Sequence, residues 1–181
     1  MSNRTGTHPL GRIWEADGSG VVHIEDRYDT GIDDLWSAIT APERLARWYG
    51  AVEGDLRAGG TYRVRIEDAD LDANGRIEQC DPPRRLVVSS RETDASARKG
   101  GDEPFDQTIE ATLTPDGDHT LLTIEVRGLP LQKLAAYGAG WQMHAEGLAD
   151  YLAGRAPRDN GPRWSELIPA YAAMTPRANE A

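Results

Sequence analysis

An apolar stripe near the end of the chain limits its folding options more than any other feature. Leu134, Gly138, Trp141, Ala145, Leu148 and Leu152 recur at alternating spacings of four and three. That spacing places them on one face of a helix over residues 131–154, about six turns long, with Gly154 ending it. Burying the large members of the stripe contributes ~1.5–3 kcal/mol each, so the helix must lie on an apolar surface. The preceding residues supply one. Over 61–67, Tyr62, Val64 and Ile66 alternate with Arg63 and Arg65; over 105–114, Ile109, Ala111 and Leu113 fall on one face; over 120–127, Leu122, Ile124 and Val126 do. A period of two with one polar face is the pattern of antiparallel strands wetted on one side.

The other segments fit around these. Residues 11–14 and 21–28 read as a hairpin across EADGSG. Ile32, Leu35, Trp36 and Ile39 then form a helix face, with Thr30 as its N-cap and Asp33 completing a capping box. Pro42 ends that helix and opens a second over 43–49. A weaker strand over 52–56 runs to Gly59-Gly60, and Asn74-Gly75 is the strongest local hairpin signal. Asp81-Pro82-Pro83 interrupts a strand that begins at Arg76 and resumes over 86–91. Residues 92–104 form a polar loop expected to be mobile. Residues 1–9 are a flexible N-terminus, 10–154 the folded domain, and 155–181 a proline-rich extension. In that extension Trp164, Leu167, Ile168 and Tyr171 share helical spacing, which Pro169 limits to a turn or two. These four side chains must bury on the domain, over a cavity mouth or on a second copy of the chain. The sum is an α+β fold: a curved antiparallel sheet wrapped around a long C-terminal helix, with two short helices after the first long strand.

Charge narrows the partners. The 181 residues carry a net charge of −10, whereas phosphate backbones and anionic membranes both attract positive surfaces, so nucleic acid and membrane are excluded as partners. One cysteine, Cys80, rules out an intramolecular disulfide framework. With no apolar leader in the first twelve residues, it points to the cytoplasm. No histidine pair has metal-ligand spacing, and the acidic run Glu67, Asp68, Asp70 and Asp72 lacks the alternation of a calcium loop. No metal and no cofactor are expected. His144, on the long helix but off its stripe, is an exposed residue in the plainer reading, and a general base if it reaches the interior. Glu78 is a catalytic candidate only if its carboxylate turns inward. Glu110 faces away from Ile109 and Leu113, His119 sits in an exposed turn, and Cys80 reads as structural.

Four segments carry a family resemblance. IDDLWSAITAPERLARW holds a helix pair with Trp36 and Trp48; Gly59-Gly60-Thr61-Tyr62 opens a strand; DPPRRLVV is a proline-interrupted strand; Gly140-Trp141 to Tyr151-Leu152 spans the last helix. Together they resemble the SRPBCC or START-like superfamily, whose helix-grip fold is shared with the birch pollen allergen. The nearest group is the one named after the C-terminal domain of the activator of heat-shock protein 90 ATPase. The resemblance covers residues 12–154 and implies a cavity between the sheet and the last helix. Trp141 would face it, lined further by Trp48, Tyr62, Val64, Ile66, Ile109 and Leu113, and by Leu122, Ile124, Gly138, Ala145 and Leu148. It implies a binding module for a hydrophobic small molecule, since no catalytic constellation is visible. A cyclase- or hydrolase-like enzyme using Glu78 or His144, and a co-chaperone with a chaperone partner, are the alternatives. Fold alone does not choose among them.

Overall fold

The computed structural model describes residues 8–94 and 103–174. Eight strands form one antiparallel sheet: β1 (Arg12–Ala16), β2 (Ser19–Tyr28), β3 (Ala51–Gly54), β4 (Thr61–Ile66), β5 (Leu71–Asp81), β6 (Arg85–Glu92), β7 (Asp106–Asp116) and β8 (His119–Leu129). Their order across the sheet is β1-β2-β8-β7-β6-β5-β4-β3. Two short helices, α1 (Ile32–Thr40) and α2 (Pro42–Leu45), separate β2 from β3. The long helix α3 (Leu134–Leu152) follows a turn of 3-10 helix at Leu131–Lys133. A fourth, α4 (Asn160–Ala172), lies in the tail. This is the helix-grip arrangement expected from the sequence.

The alternation of the strands decides which face is covered. Val22 and Ile24 of β2, Leu113 of β7, and Leu122, Val126 and Leu129 of β8 are buried on the concave side. Leu134, Trp141, Ala145 and Leu148 of α3 pack against them, with Leu35, Ala38 and Ile39 of α1. Helix α3 lies over β1 and β2, α1 over β7 and β8, and α2 beside β3. A smaller cluster of Leu45, Val52, Val64 and Ala73 closes the far edge of the sheet.

Several local expectations are corrected. The turn between β4 and β5 falls at Glu67–Asp70, where Asp70 adopts φ 47°, and not at Asn74-Gly75. Gly75 instead pairs with Tyr62 in mid-strand, and a Cβ there would lie 2.4 Å from the Tyr62 ring. Tertiary packing of that ring overrides the local turn signal. The prolines at 82 and 83 do not interrupt one strand but lie in the turn joining two, β5 and β6, where no ladder donor is needed. The first residue of α1 follows Gly31, and no side chain caps it. Thr30 instead donates to Asp34 at 2.7 Å. The second helix is shorter than expected and ends at Leu45. Residues 95–102, most of the expected mobile loop, lie outside the described residues, as do residues 1–7. His8 and Pro9 are anchored: His8 pairs with Asp26, and the Pro9 carbonyl accepts from Gln142 Nε2 at 3.2 Å.

The tail departs most from expectation. It forms a thirteen-residue helix, capped by Asp159, whose carboxylate accepts from Gly161 N at 3.0 Å. Pro169 removes one backbone donor but stands on the exposed side. Leu167 and Tyr171, on either side of it, are fully buried against Ala139 of α3. Gly138 makes this contact possible, because a Cβ there would stand 2.5 Å from Tyr171 Cδ1. Behind the apolar stripe, α3 therefore buries a second, polar face. Glu146, 3% exposed, is gripped by Arg163 at 2.6 Å and 3.0 Å and by Arg158 at 3.2 Å. Asp150 is paired with Arg155 at 2.6 Å and also with Arg158. Gln142 Oε1 accepts from Tyr171 Oη at 2.8 Å and from Gly11 N at 3.0 Å.

A buried carboxylate that loses its partner keeps its desolvation cost. Arg163→Met is therefore expected to lower unfolding free energy by about 3 kcal/mol, read from urea denaturation. Glu146→Leu added to it is expected to restore most of that loss; a double variant no more stable than the single would show that the charge is not the cause.

Candidate functional site

A cavity of about 350 Å³ lies between the concave sheet and the α1–α2 hairpin. Trp36, Ile39 and Thr40 of α1 form part of its roof, with Leu45 of α2 and with Trp48 and Tyr49 just beyond. The break imposed by Pro42 turns the chain back, and the Trp48 indole N–H donates to Ala38 O at 3.0 Å, which locks the two helices together. The floor comes from β5 to β8, with Leu122 and Ile124 at one end, and Tyr62 of β4 at the other. From α3 only Trp141 reaches the cavity. Tyr49 stacks on Trp141 with ring centroids 5.9 Å apart, and meets His144 edge-on at 4.8 Å.

Six of the expected lining residues meet here: Trp48, Tyr62, Ile109, Leu122, Ile124 and Trp141. The other six lie elsewhere. Val64 is buried in the edge cluster, and Ile66 flanks it. Leu113, Ala145 and Leu148 are in the main core, behind the cavity wall. Gly138 faces Tyr171 on the opposite side of α3. The resemblance placed the cavity under the long helix, whereas α1 and α2 roof most of it. Trp36, which is not among the expected lining residues, lines it.

Ile77 and Cys80 also line the cavity, three residues apart on one strand. Simple alternation would put them on opposite faces. A β-bulge resolves this: Ile77 pairs with Val88 and Gln79 with Val87, which leaves Glu78 as the extra residue. Alternation from Ile77 points Glu78 outward, where its carboxylate accepts from Ser89 Oγ at 2.7 Å, and the bulge returns Cys80 to the inner face. Glu78 is thus an exposed residue of the convex face. Cys80 is a half-buried free cysteine whose residue borders the cavity. Burial and the neighbouring Asp81 push its thiol up, which favours the protonated form.

His144 is neither exposed nor on the cavity lining. It is packed behind Tyr49 and Trp141, with ring centroids 5.6 Å apart in the second pair. Burial pushes its imidazole down to about 4, against a weaker opposing hydrogen bond with the Trp48 backbone. Glu110 does face outward, where Arg85 donates to it at 2.8 Å and Arg127 at 3.1 Å. These pairs hold its carboxyl below the usual range. His119 lies 3.3 Å from Asp29. Among the described residues no three of His, Cys, Asp and Glu are grouped to hold a metal ion. Among the described residues the lining has no carboxylate, imidazole, guanidinium or ammonium group. Its polar groups are hydroxyls, indole N–H groups and one thiol.

A curved antiparallel sheet gripping a C-terminal helix, with a two-helix insert roofing an apolar cavity, defines a helix-grip domain of the SRPBCC type. The chain belongs to the activator of Hsp90 ATPase homolog 1-like family, whose model matches residues 29–153. It is similar to CalU16 from Micromonospora echinospora. The crystal structure of CalU16 is 30% identical, with a TM-score of 0.73, over 91% of this chain and 95% of that one. Its solution NMR structure is 29% identical, with a TM-score of 0.72, over 96% and 97%. DynU16, of the dynemicin biosynthetic locus, shares the fold at 24% identity and TM-score 0.64, over 80% of this chain and 51% of its own. No curated protein matches the sequence. Among the described residues no helix is long and apolar enough to cross a membrane.

His144 gives the site a pH signature. Its folded value of about 4 lies below its ordinary value of 6.5, so the unfolded chain binds more protons between the two, and stability falls as pH drops through that window. His8 works in the opposite sense, because pairing with Asp26 raises it and its contribution is lost as pH rises. The urea midpoint is expected to fall less between pH 7 and pH 4.5 in His144→Phe than in the native chain. Equal falls would mean that His144 is solvated.

Proposed function

We propose that the chain is a binding module for a small hydrophobic molecule held between the α1–α2 hairpin and the concave sheet. The observation that carries this reading is an apolar cavity of about 350 Å³ lined, among the described residues, by no charged side chain. That volume is at the low end of the ~300–1,000 Å³ typical of small-molecule pockets. Apolar burial supplies affinity at ~25 cal/mol per Å², and the few hydroxyl and indole groups supply orientation. The enzyme alternative needs an acid or base at the void, and both candidates are elsewhere: Glu78 on the convex face, His144 behind Tyr49 and Trp141. The family's name suggests a chaperone partner. Among the described residues Leu10, Leu131 and Trp164 are the large apolar side chains left exposed, so the cavity has the stronger claim.

The test is titration with the neutral fluorophore N-phenyl-1-naphthylamine, alongside native mass spectrometry of the freshly purified protein. The native chain is expected to bind one fluorophore per chain, saturably. Ala111→Trp, which fills the cavity from β7, is expected to abolish that binding while circular dichroism stays unchanged. Absence of saturable binding, or binding indifferent to Ala111→Trp in the folded variant, would reject the reading.

A further inference from the structure

We propose that Tyr49 is the polar anchor of the cavity, and that the molecule it anchors is a flat, uncharged aromatic compound bearing an oxygen that accepts a hydrogen bond from the Tyr49 hydroxyl. This rests on the binding-module reading above and specifies its ligand class.

The choice of anchor follows from which polar groups are committed. Of the three hydroxyls on the lining, those of Thr40 and Tyr62 are already bonded, as is one of the three indole N–H groups, that of Trp48. The Trp48 indole N–H donates to Ala38 O at 3.0 Å, the Thr40 hydroxyl to Trp36 O at 2.7 Å, and the Tyr62 hydroxyl to Ser89 O at 3.3 Å. The Tyr49 hydroxyl makes no hydrogen bond to any described residue. Its ring is nonetheless held on three sides, by Trp48 at 5.6 Å, Trp141 at 5.9 Å and His144 at 4.8 Å between centroids. A fixed ring with an uncommitted hydroxyl beside an apolar void is pre-organised for a ligand atom, because little side-chain freedom remains to be lost on binding.

The ligand's charge and shape follow from the rest of the wall. Among the described residues no lining group carries a charge that would balance an ionised ligand, and an unpaired ion is strongly disfavoured in an apolar site. Burial raises the Tyr49 hydroxyl well above its ordinary value, so it stays protonated and donates. Five aromatic side chains surround the void: Trp36, Trp48, Tyr49, Tyr62 and Trp141. Such rings favour offset-stacked or edge-to-face partners over aliphatic chains of equal area. The volume suits two or three fused rings.

The test uses three probes of one skeleton: naphthalene, 2-naphthol and 2-naphthoate, titrated calorimetrically into the native chain, Tyr49→Phe and Tyr62→Phe, with thermal melts confirming that each variant is folded. In the native chain 2-naphthol is expected to bind about fivefold more tightly than naphthalene, as one added hydrogen bond allows, and 2-naphthoate at least about tenfold more weakly. In Tyr49→Phe the preference for 2-naphthol is expected to collapse to about one. A preference that survives Tyr49→Phe, or collapses in Tyr62→Phe instead, overturns the assignment to Tyr49 and leaves the binding module standing. Tighter binding of 2-naphthoate than of naphthalene overturns the uncharged ligand class. Failure of all three probes to bind the native chain overturns this proposal; failure of N-phenyl-1-naphthylamine as well removes the binding module beneath it.

Discussion

The structure depends on α3 being buried on both sides. Its apolar face lies on the concave sheet through Leu134, Trp141, Ala145 and Leu148. Its opposite face carries Gln142, Glu146 and Asp150, each 5% exposed or less. Water cannot solvate these groups, so the chain must supply partners. It does so from both ends: Pro9 and Gly11 bond Gln142 from the N-terminal side, while Arg155, Arg158 and Arg163 neutralise the carboxylates from the tail. Burying charge is rarely a net stabiliser against an apolar replacement, but it is intolerant of a missing partner. The network therefore fixes where the tail runs, and Leu167 and Tyr171 supply the apolar burial that holds it there.

The cavity exists because one helix cannot cover the sheet. Eight strands at about 4.8 Å spacing span roughly 34 Å, against about 10–12 Å for a helix with its side chains. Helix α3 takes the side of β1 and β2. The remaining concave surface is roofed by two helices of nine and four residues. The void between them and β4–β8 is closed by aromatic side chains instead of backbone, and this is why its lining is rich in rings. Trp141 is the single point at which the long helix reaches it.

Much of this was legible in the order of residues. The switch from period two to a four–three stripe identified the strands and the long helix, and Pro42 marked the break between the short helices. Where local signals failed, a specific tertiary contact had overruled them. Asn74-Gly75 is a strong turn sequence, yet Tyr62 packs over Gly75 and keeps it in a strand. Pro169 argues for a short helix, yet burial of Leu167 and Tyr171 on either side carries the helix through thirteen residues. Half of the expected lining residues stand away from the cavity for a related reason. Alternation shows that a side chain faces inward, but not whether it meets another side chain or a void.

The sequence by itself determined the class of fold, the inward face of most strands and the apolar face of the long helix, because periodicity is a property of neighbours along the chain. Only the tertiary structure decided the position of the cavity, the bulge at Glu78 that turns Ile77 and Cys80 inward together, and the packing of His144 against Tyr49 and Trp141. It alone also showed that Tyr49 keeps an uncommitted hydroxyl among three rings. Each of these depends on groups far apart in sequence, such as Tyr49 against Trp141, and no local pattern encodes such distances.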